Sequence, residues 1–155
     1  LLGLGGKLRP AAFGLRMAES TVYAFAMWGL AQTVAARTLG PPGRMGPFSA
    51  LVMSFGAGFY EEVGFRVLLF GIGAWLIHRM KKGLPAFGLE LGWAVFAAAA
   101  FSAVHYIGPL GDPFQLGSFV FRLTCGLVLT AIYRLRGFAA AVWTHALYDV
   151  GVMVF

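Results

Sequence analysis

Glu61, Glu62 and Arg66 stand inside a run, Phe48 to Ile77, that is otherwise apolar. Further along, His105 closes the segment FSAVH, and His145 and Asp149 bracket HALYD, each again within an apolar stretch. A charged side chain near the middle of a bilayer costs about 2.5–3.5 kcal/mol on insertion scales, so three in one helix need compensation. Glu62 and Arg66 are four residues apart in the favourable Glu-before-Arg order and can neutralise each other. Glu61 sits about 100° round the helix from Glu62 and has no partner within its own helix. His145 and Asp149 share one helical face, again four apart. Two Glu, two His and one Asp on three separate helices are what a water-filled polar pocket inside a bundle requires. Carboxylates and imidazoles move protons, so two chemistries are open: a base acting on water, or a proton relay through the membrane.

The elements that must hold these groups are five apolar stretches: about Thr21–Ala36, Phe48–Ile77, Leu91–Ile107, Gly117–Tyr133 and Phe138–Phe155. Most approach the roughly 20 residues that span a bilayer as helix. With 59% apolar residues, 12% charged residues and a mean hydropathy of +0.78, the composition excludes an ordinary soluble domain. The fold expected is all-α, a polytopic transmembrane helical bundle of about five membrane helices. The second stretch is longer than a bilayer requires and holds Gly56, Gly58, Gly64, Gly71 and Gly73, which predicts a tilt or kink. The Pro-rich LGPPGRMGP fits a turn between helices, and no repeat, linker or second domain is visible. Residues 1–155 read as one domain, and Leu1 in first place is compatible with an excerpt lacking further N-terminal helices.

Loop charge predicts an orientation. Lys7, Arg9 and Arg16 precede the first helix, Arg79, Lys81 and Lys82 follow the second, and Arg134 and Arg136 follow the fourth. With five helices these eight fall on one side, against Arg37 and Arg44 on the other, with Arg66 and Arg122 assigned to the helices. The expectation is an integral, multi-pass membrane protein with a cytoplasmic N-terminus. The net charge of +6 then follows from topology rather than from nucleic acid, since no basic stripe with interleaved aromatics marks a soluble face. LLGLGGKLRP lacks the long apolar core of a secretory signal, so no cleaved segment is expected. The single cysteine, Cys125, excludes an internal disulfide framework and any CxxC site. His78, beside Arg79 at a helix end, reads as a snorkelling residue.

EEVGFR resembles an EExxxR motif, FSAVH resembles FxxxH, and HALYD resembles HxxxN/D, in that order and each inside an apolar helix. Together, with Phe65 directly before the arginine, they resemble the CAAX protease and bacteriocin-processing family, also called CPBP or Abi, which includes the CAAX prenyl endopeptidase of the endoplasmic reticulum. The resemblance spans Tyr60 to Asp149. It implies an intramembrane endopeptidase in which Glu61 is the general base on a water and Glu62, paired with Arg66, holds the helix and tunes the site. His105 then orients the water, and His145 with Asp149 faces the developing oxyanion. It implies a peptide or protein substrate in contact with membrane lipids; a prenylated CAAX tail, a leader peptide and a transmembrane protein all stay open, and nucleic acid is not a partner.

Relatives carry a metalloprotease label, and a zinc at Glu61, His105 and His145 is the alternative to a metal-free site. The absence of HExxH and of a thiolate, together with the guanidinium of Arg66 beside the carboxylates, favours no cofactor. Two departures stand out. Asp149 replaces the Asn of the prenyl endopeptidases, so it must be protonated or orient His145, because an ionised Asp would repel an oxyanion. The chain is also shorter than typical relatives. Ser49, Ser54, Ser102 and Ser118 lack the GxSG setting of a serine intramembrane protease. Tyr148-Asp149 and Gly111-Asp112 stand in the wrong order for an aspartyl one, with Asp112 in a Pro-bounded loop. The rival readings are a small proton-coupled transporter, which the missing repeat disfavours, and a non-catalytic bacteriocin-immunity protein.

Overall fold

The computed structural model describes residues 10–35, 47–108 and 111–154. Lys7, Arg9, Arg37 and Arg44, with most of LLGLGGKLRP and LGPPGRMGP, lie outside the described residues. Every regular element described is helical: α1 (Pro10–Ala35), α2 (Pro47–Glu61), a π-helical segment (Glu62–Gly71), α3 (Ile72–Met80), α4 (Gly83–Val104), α5 (Leu116–Arg136) and α6 (Phe138–Val154). Since α2, the π segment and α3 run on without a break, the described residues form five helical rods, as the apolar stretches predict.

Helix ends follow local chemistry. Pro10 and Pro47 open α1 and α2, where a missing amide hydrogen costs nothing. Gly137, at a φ of +88°, ends α5 and returns its N–H to the Tyr133 carbonyl at 2.9 Å. That one left-handed residue is the whole connection to α6.

Leu51–Met80, Gly83–Val104 and Leu116–Arg136 are long and apolar enough to cross a membrane. The distribution of side chains is that of a protein solvated by lipid. Phe25, Phe48, Leu68, Trp75, Leu84 and Phe87 point outward, whereas Ser20, Ser54, Glu62, Arg66, Ser102, Thr144 and His145 are buried. Burial along the long rod falls on Ser54, Gly58, Glu62, Arg66, Phe70 and Ala74.

The helices close through small residues, as membrane helices do in the absence of a hydrophobic drive between them. α6 packs on α1 and α2, and α4 on α5. At Gly58 an added Cβ would meet the Ala146 backbone nitrogen at 3.0 Å; at Gly126 it would meet the Ala98 Cα at 3.2 Å. The Trp93 indole lies over Gly73 and donates to the Leu69 carbonyl at 3.0 Å, which ties α4 to the π segment.

Two expectations are refined. The first helix starts at Pro10, so Arg16 lies inside α1 rather than before it. Helix α4 stops at Val104, so His105 is its C-cap and faces the site from a helix end. Arg16, Arg134 and Arg136 stand at one end of the bundle. Arg16 Nη1 donates to the Arg136 carbonyl at 3.2 Å, and Glu19 of α1 is paired with Arg136. Glu90 of α4 takes Arg134 at 2.6 Å and His78 at 2.6 Å, joining α5 and α3 there.

Candidate active site

All six residues singled out by spacing converge on one cluster. Arg66 is 1% exposed and Glu62 fully buried; the guanidinium Nη1 lies 3.1 Å from Glu62 Oε1. Burying this charge is tolerable because it is met on three sides. Its Nη2 donates to the Gly126 carbonyl at 3.4 Å, and its guanidinium carbon lies 4.3 Å from the centre of the Phe101 ring.

Glu62 also faces α6. Its Oε1 accepts from His145 Nδ1 at 2.8 Å, which makes Nδ1 a protonated nitrogen and aims Nε2 the other way. There Nε2 meets Asp149 Oδ2 at 3.5 Å and Glu61 Oε2 at 3.9 Å. His105 is oriented by a different device. The Phe101 carbonyl, which can only accept, takes a hydrogen bond from His105 Nδ1 at 2.8 Å. His105 Nε2 is thereby turned to Glu61 Oε1, 4.0 Å away.

Glu61 thus stands between two imidazoles, one per carboxylate oxygen. It is the last residue of α2, half-buried, where Glu62 one step on is sealed. Adjacent residues project about 100° apart on a helix, which lets one carboxylate lock the scaffold while its neighbour stays partly exposed.

A family model described as type II CAAX prenyl endopeptidase Rce1-like matches residues 43–151, more than two thirds of the chain. The chain belongs to this family. The type II CAAX endopeptidase family is one of proteases, so the chain is a CAAX-type intramembrane endopeptidase in general character, acting on a peptide or protein, and an integral membrane protein. No curated protein and no solved structure matches the chain at a significant level.

Among the described residues no three His, Cys, Asp or Glu side chains are grouped as ligands of one ion. We therefore derive no step through a metal for this CAAX endopeptidase.

Two contributors received no role from the sequence. Phe101 touches both histidine rings, with centroids at 5.2 Å to His105 and 5.9 Å to His145, besides carrying Arg66 on its face. Its place four residues before His105 was the available signal. Gly126 offers a backbone carbonyl to Arg66, and nothing in its residue type announces that.

Proposed function

We propose that the protein hydrolyses a peptide bond near the C-terminus of a CAAX-type substrate, with Glu61 activating a water and no metal taking part. The observation that carries this reading is the pair of gaps of 4.0 and 3.9 Å between the Glu61 oxygens and the Nε2 atoms of His105 and His145. Each gap is too wide for a hydrogen bond and suits one water spanning two partners at about 2.8 Å each.

The tautomers make the two gaps different. With Nδ1–H given to the Phe101 carbonyl, the neutral His105 ring presents an acceptor at Nε2. A water between two acceptors gives one hydrogen to His105 and one to Glu61, and keeps a lone pair for the scissile carbonyl. Glu61 takes the proton as the water oxygen bonds to the carbonyl carbon, then returns it to the leaving amine as the C–N bond breaks. The tetrahedral oxyanion falls to His145, whose Nε2 donates when the ring carries its second proton, with Asp149 holding that nitrogen in place. Asp149 therefore acts through His145, which suits a carboxylate where relatives have an amide.

The substrate class proposed is a peptide ending in a CAAX motif, prenylated so that its lipid shares the bilayer with the outward apolar faces of the rods. The basic end of the bundle is proposed to be cytoplasmic, on the eight-to-two loop charge. The test is cleavage of prenylated and unprenylated peptides by purified protein in detergent, wild type against Glu61→Gln. Turnover falling at least about a hundredfold in a variant that stays folded is expected. Retained turnover in Glu61→Gln removes the glutamate from the mechanism.

A further inference from the structure

Beside the glutamate–histidine cluster, the Tyr106 hydroxyl and Arg122 Nη1 are among the donors buried with no hydrogen-bond partner in the described residues. They are neighbours, since the Arg122 guanidinium carbon lies 5.3 Å from the centre of the Tyr106 ring. Both are wired to His105. Tyr106 follows it directly in the chain, while Arg122 Nη2 donates to Asp112 Oδ2 at 2.6 Å and the Asp112 amide donates to the His105 carbonyl at 2.9 Å. Tyr106 is held in turn by Phe114 and Phe119, with ring centroids 5.2 and 6.4 Å away.

Asp112 engages one edge of the guanidinium and leaves Nη1 free. Leaving a buried donor unpaired is unfavourable, so each of the two asks for an acceptor. A carboxylate, with two oxygens, can accept from a guanidinium N–H and from a phenol hydroxyl.

We propose that Arg122 Nη1 and the Tyr106 hydroxyl bind the C-terminal carboxylate of the substrate. The proposal rests on the endopeptidase reading and adds to it a rule for which bond is cut. In a CAAX motif the cysteine is fourth from the chain end, so a bond directly after it lies three residues from the terminus. Reading the chain end makes the enzyme a releaser of short C-terminal peptides rather than a cutter of internal bonds.

The experiment uses two peptides that differ only in a terminal carboxylate or carboxamide. Their binding is measured to the full chain carrying Glu61→Gln, in nanodiscs of zwitterionic lipid, and again with Arg122→Gln or Tyr106→Phe added. The acid is expected to bind about tenfold more tightly than the amide, with the gap closing in Arg122→Gln and narrowing in Tyr106→Phe. Tyr106→Phe removes one oxygen and keeps the ring packing, so it decides the matter even if Arg122→Gln fails to fold. Equal binding of acid and amide, binding of neither, or a gap indifferent to both substitutions overturns the proposal. Wild-type protein that binds the acid preferentially and cleaves neither peptide supports the carboxylate site and overturns the endopeptidase reading instead.

Discussion

Glu62 Oε1 lies 2.8 Å from His145 Nδ1, so a carboxylate on the long rod sets the orientation of a ring on α6. The same oxygen is 3.1 Å from Arg66 Nη1. One atom thereby fixes the charge balance of the core and the direction of His145 Nε2. Glu62→Gln keeps the shape and loses the charge, and is expected to lower kcat by about 10- to 100-fold while KM moves little. An unchanged kcat in steady-state peptide cleavage would show that His145 needs no such anchor.

Arg66→Ala leaves Glu62 buried without its counter-charge. A loss of about 3–5 kcal/mol is expected, large enough to appear as a strongly lowered thermal midpoint in detergent. Equal midpoints for the variant and the wild type would contradict the buried pair.

Gly58→Val drives a side chain into the Ala146 backbone, 3.0 Å from where the Cβ would stand. Overpacking of this kind costs about 1–3 kcal/mol. Ala146 follows His145, and Gly58 lies three residues before Glu61, so the same push widens the gap between base and imidazole. Turnover should fall further than thermal stability alone accounts for; a variant with wild-type activity would show that the two rods can separate harmlessly.

Glu19 lies ahead of the apolar stretch of α1, where hydrogen bonds from Arg136, then from Tyr23, hold its carboxyl down to about 2 from an ordinary 4.5. A depressed carboxyl stabilises the fold above its unfolded value, and that contribution fades as pH falls from about 4.5 toward 2. Wild type is therefore expected to exceed Glu19→Gln in thermal midpoint at pH 6 and to converge with it as pH approaches 2. A constant difference across that range would mean the clamp does not depend on charge.

Exhaustive chelation should leave peptide cleavage at its starting rate if Glu61 works on water unaided. Activity that disappears on chelation and returns with zinc would replace that mechanism with a metal-bound one.

The rods were legible because lipid demands long apolar runs, and the edges of Phe48–Ile77 and Gly117–Tyr133 fall within a turn of the helix ends observed. The first three turns of α1 were missed for the complementary reason. They are held by polar groups, Glu19 against Arg136 and Ser20 against the Ala140 carbonyl at 3.4 Å, which hydropathy does not register. Within the cluster, the i,i+4 pairs Glu62–Arg66 and His145–Asp149 could be placed from spacing, because a single helix determines them. The link from Glu62 to His145 could not, since the two residues are 83 positions apart and only the packing of α6 on the long rod brings them together. The π segment was equally hidden, because no residue type encodes a hydrogen bond to the fifth residue back.

That segment settles how one rod can present a straight interior edge. Ser54, Gly58, Glu62, Arg66, Phe70 and Ala74 recur every fourth residue, and in a uniform α-helix each such step overshoots a full revolution by about 40°. Five steps would wind the stripe more than halfway round and turn its far end toward lipid. Between Glu62 and Gly71 the ring closes over five residues, as when the Ile72 amide reaches the Val67 carbonyl, so a four-residue step there undershoots and the winding unwinds. Deleting one residue from this stretch would restore an ordinary helix while setting the two halves of the rod out of phase, with Gly73 rotated away from Trp93 or Glu62 from His145.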